Sequence, residues 1–397
     1  MNPWLTVLGV GADGTDDLPP AAQALIDNAQ VIAGGDRHLE MLTNMTAARV
    51  RLQSPIEMAL DALQGHRGKR VVALASGDPL HYGIAATFLR RFAASELQII
   101  PHHSAFTLAA ARMAWPRQNL ATLSVHGRPL AALQRHIHPG VKLLVLAQDG
   151  ETPTQVAELL KARGFGPSLL VAFEHLGSPD ELTIAATAES WAVPRTRDLV
   201  TLAVECIAGP NVVLLPLTPG LPDDAFEHDG QLTKRETRAV TLSTLAPKPG
   251  EMLWDVGAGA GSIAIEWLRG GQQMRAIAFE RDPVRAARTA RNALALGAPE
   301  LRIVEGAAPQ AFAGLPAPDA IFLGGGVGAP GMIDACWTAL RPGGRLIANA
   351  VTEKSALALE AHRASYGGEL TRLAVSRFES GGWRELKPIT QLRSFKA

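Results

Sequence analysis

Asp255–Gly261 reads DVGAGAG, closing an apolar run and opening a helical pattern. Gly257, Gly259 and Gly261 let the chain turn tightly, and with Ala258 and Ala260 they let a ligand approach the backbone closely. Glu280 closes the next apolar run, where a carboxylate can accept hydrogen bonds from two ribose hydroxyls. Such a loop and carboxylate suit either a dinucleotide or S-adenosylmethionine. The acidic residue opening the loop, the GxGxG spacing and a hairpin-like end of the domain favour S-adenosylmethionine. The alternative is a tight strand-to-helix turn that holds nothing.

Further along, Asp319–Gly326 ends in three glycines. Methyltransferases acting on exocyclic amines often carry an Asn/Asp-Pro-Pro-aromatic segment there. Gly324, Gly325 and Gly326 instead leave room for a large flat substrate, or else only ease strand-to-helix packing. Carbon methylation of an electron-rich ring needs alignment and exclusion of water rather than a lone-pair acceptor. Thr233 either caps the following helix, with Glu236 as capping-box partner, or touches a ligand. Asn349, at the end of a strand, is a candidate substrate contact and otherwise turn chemistry.

The first half carries three small-residue loops after successive apolar runs. These are Gly9–Gly14 with Gly11, Ser76–Pro79 with Gly77 and Asp78, and Pro101–Phe106 with Ser104 and Ala105. Together they make a ligand-binding rim. Asp78 is a ligand or only the turn residue before Pro79. His102 and His103 have no partner at metal-ligand spacing, so no metal is expected. His126, Arg37, Arg112, Arg128, Lys234 and Arg235 sit at loop or helix-end positions; the cations are candidates for holding ligand carboxylates.

These loops need two α/β scaffolds. Residues 216–230, PLTPGLPDDAFEHDG, lack apolar periodicity and read as a linker between domains 1–215 and 231–397. In the first half, runs such as Leu5–Val10, Val71–Ala75 and Lys142–Leu146 read as strands, with Ile84–Phe92, Phe106–Met113 and Pro153–Arg163 as helices. From Leu169 the pattern turns strand-rich, so an α/β unit precedes a more antiparallel one. The second half alternates strictly from Glu251 to Val351, which predicts a parallel, doubly wound sheet. Leu370–Phe378 and Ile389–Phe395 then read as an antiparallel pair joined by a loop.

Lys+Arg and Asp+Glu number 38 each, without the basic excess of a polyanion-binding protein, so no nucleic-acid partner is expected. Cys206 and Cys336 stand alone, which fits a reducing cytoplasm and no disulfide framework. Residues 1–4 lack the basic and apolar regions of an export signal, and no apolar run is long enough to span a bilayer. A cytoplasmic, membrane-free protein is expected.

The first half resembles the tetrapyrrole methylases, in particular the CbiE type. The segments concerned are Gly9–Gly14, Gly34–Leu39, Ala75–Gly83, Ser104–Arg112, Val125–Arg128 and Glu174–Glu181. The second half is similar to CbiT-type methyltransferases through Leu232–Arg238, Trp254–Trp267, Gly306–Pro309 and Pro318–Gly326. Fused in this order, the halves resemble the bifunctional, decarboxylating precorrin methyltransferases of the aerobic cobalamin pathway.

The resemblance implies a tetrapyrrole methylase fold of two α/β subdomains, followed by a Rossmann-like class I S-adenosylmethionine-dependent methyltransferase. It implies methylation of precorrin-6B at C5 by the first half and at C15 by the second. The second half would also remove the C12 acetate carboxyl, giving precorrin-8X. Thr233, Gly257–Gly261, Glu280 and Ala308 would line the second cofactor site. The expected partners are a tetrapyrrole (precorrin) substrate and further copies of the chain in a homo-oligomer. Two departures stand out: Gly11-Ala12-Asp13-Gly14 where many tetrapyrrole methylases have Gly-Pro-Gly-Asp, and Ala307 where the relatives commonly carry an acid. The rival reading is a methyltransferase of another small molecule or of RNA.

Overall fold

The computed structural model describes residues 3–16, 18–42 and 46–397. The chain divides into two compact units, Met1–Arg128 with His136–Val212, and Pro129–Arg135 with Val213–Ala397.

The first unit runs β1 (Leu5–Val10), α1 (Pro20–Asp27), β2 (Val31–Gly34), α2 (Asp36–Glu40), β3 (Ala48–Arg51), α3 (Ile56–Gln64), β4 (Val71–Ser76), α4 (Ala85–Phe88) and β5 (Leu97–Ile100). These strands form a parallel sheet in the order β3-β2-β4-β1-β5. Every residue of β1 is buried, as expected of a parallel strand covered on both faces. There follow α5 (Ala105–Arg112), β6 (Leu120–Ser124), β7 (Lys142–Leu146), α6 (Thr152–Ala162), β8 (Leu169–Glu174), β9 (Leu182–Thr187) and β10 (Val200–Glu205). Their sheet, β6-β7-β10-β8-β9, is antiparallel except between β6 and β7. A parallel unit thus precedes a largely antiparallel one. The helix expected over residues 84–92 stops after one turn, and the Phe92 N–H bonds back to the Phe88 carbonyl.

The second unit runs α7 (Arg235–Leu245), β11 (Met252–Val256), α8 (Ser262–Arg269), β12 (Arg275–Glu280), α9 (Pro283–Ala295), β13 (Arg302–Glu305), β14 (Ala320–Leu323) and α10 (Met332–Ala339). It continues with β15 (Arg345–Ala350), α11 (Glu353–Tyr366), β16 (Glu369–Leu373), β17 (Ser376–Glu379), β18 (Gly382–Glu385) and β19 (Ile389–Phe395). The main sheet is ordered β13-β12-β11-β14-β15-β19-β16, with β19 antiparallel to both neighbours. Alternate residues of β11 face opposite layers. Leu253 joins the core with Leu242, Leu268 and Ala293, whereas Trp254 joins Cys336, Trp337 and Leu359. Helices therefore cover both faces, and the fold is a Rossmann-like α/β sandwich. The strand expected over residues 370–378 is broken: β17 leaves the main sheet and pairs only with β18, inside the segment expected to be a loop.

Residues 216–230 are not a free linker. Leu221 and Phe226 are buried in the second unit's core. Arg238, 0% exposed, donates to the Leu221 and Thr233 carbonyls and pairs with Asp223 and Glu266. Glu266 in turn accepts the Gly220 and Leu221 N–H groups at 2.5 and 3.1 Å. Leu221 and Phe226, scattered among prolines and acids, make no periodic pattern, so the sequence hides this anchoring.

Candidate functional site

A cavity of about 940 Å³ opens at the carboxyl ends of β11, β12 and β14 in the second unit. Thr233, Gly257, Ala258, Gly259, Ala260, Glu280, Ala308 and Asn349 all line it, together with Gly324, Gly325 and Gly326. Gly261 does not. It sits behind the loop at a left-handed φ of 76°, where a Cβ would come within 2.5 Å of Thr289 Cγ2, so its role is to pack α8 against α9. Gly257, at φ 77°, has Gly325 Cα 3.1 Å from where its Cβ would be; the two glycine loops touch backbone to backbone.

Glu280 is 6% exposed, and both its oxygens carry backbone partners: Gly259 N at 2.9 Å and Asp282 N at 3.1 Å. The carboxylate thereby fixes the loop, and each oxygen keeps a second lone pair. Asp255, also lining the cavity, accepts from Ala264 N at 3.1 Å. Burial pushes its carboxyl up to about 7, with the Glu280 charge adding to the shift. Asn349 donates to Thr241 Oγ1 at 3.0 Å and accepts from Gln391 Nε2 at 2.9 Å, so its amide is held in one orientation. Nothing near Asn349 in sequence pointed to Gln391, which arrives on β19. Thr237 and residues 384–387, which end β18 and follow it, also line this cavity and were likewise unforeseen.

The capping box does not form. Lys234, not Thr233, is the residue before α7. Glu236 is drawn instead onto Arg377 at 2.5 Å, and the Arg377 guanidinium holds its carboxyl down at about 2. Thr233 is left on the cavity wall with its carbonyl on Arg238.

In the first unit a cavity of about 640 Å³ is lined by Gly11, Gly77, Asp78, Ser104 and Ala105. Gly9 lies beneath it, where a Cβ would meet the Gly77 carbonyl at 2.0 Å; it lets β1 pass the loop and does not face the cavity. A Cβ on Gly77, at φ 59°, would come within 2.9 Å of Ser104 Cα. Ser104 caps α5 by accepting from Thr107 N at 3.2 Å. Asp78 serves its own turn, accepting from Leu80 N at 2.9 Å, while still lining the cavity. One wall is aromatic: His81 lies 4.5 Å from Phe106 and 5.5 Å from Tyr82 between ring centres, and Arg128 stacks on Tyr82 at 5.1 Å. His126 is on the wall as well.

The cationic candidates divide. Arg112 is bound by Glu181 at 2.7 and 2.9 Å, and Arg235 by Glu236 at 3.0 Å. Arg37, Arg128 and Lys234 line the cavities. Among the described residues, no group of three or more His, Cys, Asp or Glu could hold a metal ion, and no helix is long and apolar enough to cross a membrane.

Residues 5–192 match the family model for tetrapyrrole (corrin/porphyrin) methylases, and residues 224–396 that for the precorrin methyltransferase domain. Over its whole length the chain is similar to a Sinorhizobium sp protein named precorrin-6Y C(5,15)-methyltransferase [decarboxylating]. The two are 45% identical over 98% of this chain and 96% of that one. A Salmonella typhimurium cobalt-precorrin-7 C(5)-methyltransferase is 36% identical over 45% of this chain and 87% of its own length. A probable cobalt-precorrin-6B C(15)-methyltransferase (decarboxylating) of Pyrobaculum calidifontis is 37% identical over 42% and 88%. With both family models matched in the same order as the two cavities, the chain belongs to the decarboxylating precorrin-6Y C(5,15)-methyltransferase family.

Proposed function

We propose that this chain methylates precorrin-6B at C5 and C15 and removes the carboxyl of its C12 acetate, giving precorrin-8X. C5 belongs to the first unit; C15 and the decarboxylation belong to the second. The observation that carries this reading is the 45% identity across 98% of the chain to a relative named for C5 and C15 methylation with decarboxylation. Relatives named for only one of the two positions, each aligning with under half of the chain, support the division of labour.

S-adenosylmethionine supplies, when bound, an electrophilic methyl on a cationic sulfur. The second cavity suits it: the glycine loop leaves backbone exposed where side chains would stand, and Glu280 has a free lone pair on each oxygen for ribose hydroxyls. The Glu280 carboxylate stands at the end of β12 beside the glycine loop, where a ribose would lie. Thr233, Gly257, Ala258, Gly259, Ala260 and Ala308 would form the walls, and Gly261 would hold the loop from behind. Gly324–Gly326 leave a floor for a flat ring, and the clamped Asn349 amide orients what lies on it. In the first cavity Gly11, Gly77, Asp78, Ser104 and Ala105 would take the cofactor, with Gly9 as support, and the aromatic wall would face the macrocycle. The electrons released with CO2 enter the conjugated macrocycle once it is protonated, so the protein's task is to position the acetate and exclude water.

The reading extends to a homo-oligomer in the cytoplasm; the exposed Phe378–Trp383 pair on the β17–β18 hairpin supports the self-association, which sedimentation velocity tests. Mass spectrometry of the precorrin incubated with the chain and S-adenosylmethionine tests the chemistry. Two methyl groups gained and one CO2 lost is the expected product; an unchanged mass refutes the proposal.

A further inference from the structure

In the first cavity Arg37 and His38 reach from α2 to the end of β4. Arg37 Nη2 donates to Ser76 Oγ at 2.8 Å, and His38 Nε2 lies 3.1 Å from the same oxygen. Because an arginine only donates, Ser76 accepts from Arg37, and the same hydroxyl shares a hydrogen bond with His38 Nε2. Burial, helped by the Arg37 charge, pushes His38 down to about 4, so the ring stays neutral and adds no second positive charge beside Arg37. Gly34, whose Cβ would sit 2.9 Å from His38 Cβ, lets the ring pack against β2. Arg37 is thus held by a fixed serine and a fixed imidazole.

What Arg37 lacks is a counter-ion. Among the described residues no carboxylate pairs with it, and its neighbour Asp36 is taken by Arg51. Of the acids lining the cavity, Asp198 is paired with Arg195 at 2.6 Å and Asp78 serves its own turn. Burial alone lowers the Arg37 pKa from its ordinary value, as expected of a guanidinium drawn out of water without compensation. An oriented, partly desolvated fork on a cavity wall matches a planar anion.

We propose that Arg37, tethered by Ser76 and His38, is the carboxylate receptor of the first cavity. Two bound molecules could bring that carboxylate: the peripheral acid chains of the macrocycle, or the amino-acid end of the methyl donor. The choice between these bearers rests on the functional reading above; the receptor itself rests on the geometry.

Calorimetric titration of the intact chain with S-adenosylhomocysteine, and separately with the precorrin, tests it. Arg37→Gln should weaken one of the two at the first cavity by about tenfold to a hundredfold, the loss of a charge-assisted bidentate contact. Arg37→Lys should recover only part, because it keeps the charge and loses the fork. Ser76→Ala should weaken the same ligand by about two- to fivefold, since the cation remains but is no longer tethered. Weaker precorrin binding with unchanged S-adenosylhomocysteine binding identifies the substrate's acid chains; weaker S-adenosylhomocysteine binding identifies the methyl donor. Arg37→Gln binding both ligands as the wild type does overturns the proposal. If that variant does not fold, Ser76→Ala decides, and unchanged affinity for both ligands is then the refuting result. Since binding is read, a wild-type chain that methylates no precorrin counts against the functional reading and not against the receptor.

Discussion

Glu280→Ala isolates the carboxylate on which the second cavity depends. In the folded chain its two oxygens hold Gly259 N and Asp282 N, and each keeps one lone pair toward the cavity. Removing them deletes the proposed acceptors for a ribose and releases the glycine loop that Glu280 holds. A hydrogen bond to a charged group is worth about 1.5–3 kcal/mol net, which corresponds to a roughly 10- to 150-fold loss of cofactor affinity. The Gly259 N–H, left without its partner, costs a further 1–3 kcal/mol or so of stability in the second unit. Glu280→Gln should fall between wild type and alanine, because one oxygen survives while the amide nitrogen faces a backbone donor. Calorimetry with S-adenosylhomocysteine reads the two cavities of one chain together, and the first serves as internal reference. A folded Glu280→Ala chain whose second-cavity affinity equals that of wild type refutes the assignment.

Asp255 sets a pH dependence. Its pKa rises from 3.8 unfolded to about 7 folded, so the folded state holds the proton more tightly. The stability it contributes is complete below the unfolded pKa and is lost as pH climbs toward 7. Asp255→Asn should therefore gain on wild type in urea melts across that window, and parallel curves would refute the assignment. Arg238→Met strips the partner from buried Glu266 and should cost about 3–5 kcal/mol, read as a lower urea midpoint. A fragment beginning at Val213 should fold. One beginning at Ala225 loses Leu221 and the two N–H groups on Glu266, and should be less stable by about 2–4 kcal/mol in the same assay.

The parts of this molecule that can be read from sequence are those made by neighbours in the chain. Asp255–Gly261 and Glu280 announce themselves because a parallel sheet delivers consecutive strand ends to one edge, and all but Gly261 line one cavity. Gly9 and Gly261 look like ligand glycines, but Gly9 serves a backbone crossing and Gly261 the packing of α8 on α9, which composition cannot distinguish from ligand approach. The bond of Arg238 to Glu266, the hold of Gln391 on Asn349, and the grip of Arg377 on Glu236 join residues far apart in the chain, so no local pattern betrays them. The same holds for residues 216–230, whose attachment depends on two buried side chains and a partner beyond them. Arg37 was legible as a cation at a helix end, but not as one deprived of its neighbour's carboxylate.

β19 lies between β15 and β16 although it follows both in the chain, and it brings Gln391 to Asn349 and Ile389 to the cavity wall. On a ribosome, a nascent chain that has already made the glycine loop and Glu280 still presents β15 with one bare edge. That edge is a template for wrong pairing until residues 389–395 emerge and close it. The cavity wall and the sheet are finished by the same strand. A half-made chain therefore has its glycine loop but no fixed Asn349 amide, and the second cavity is complete only when its sheet is.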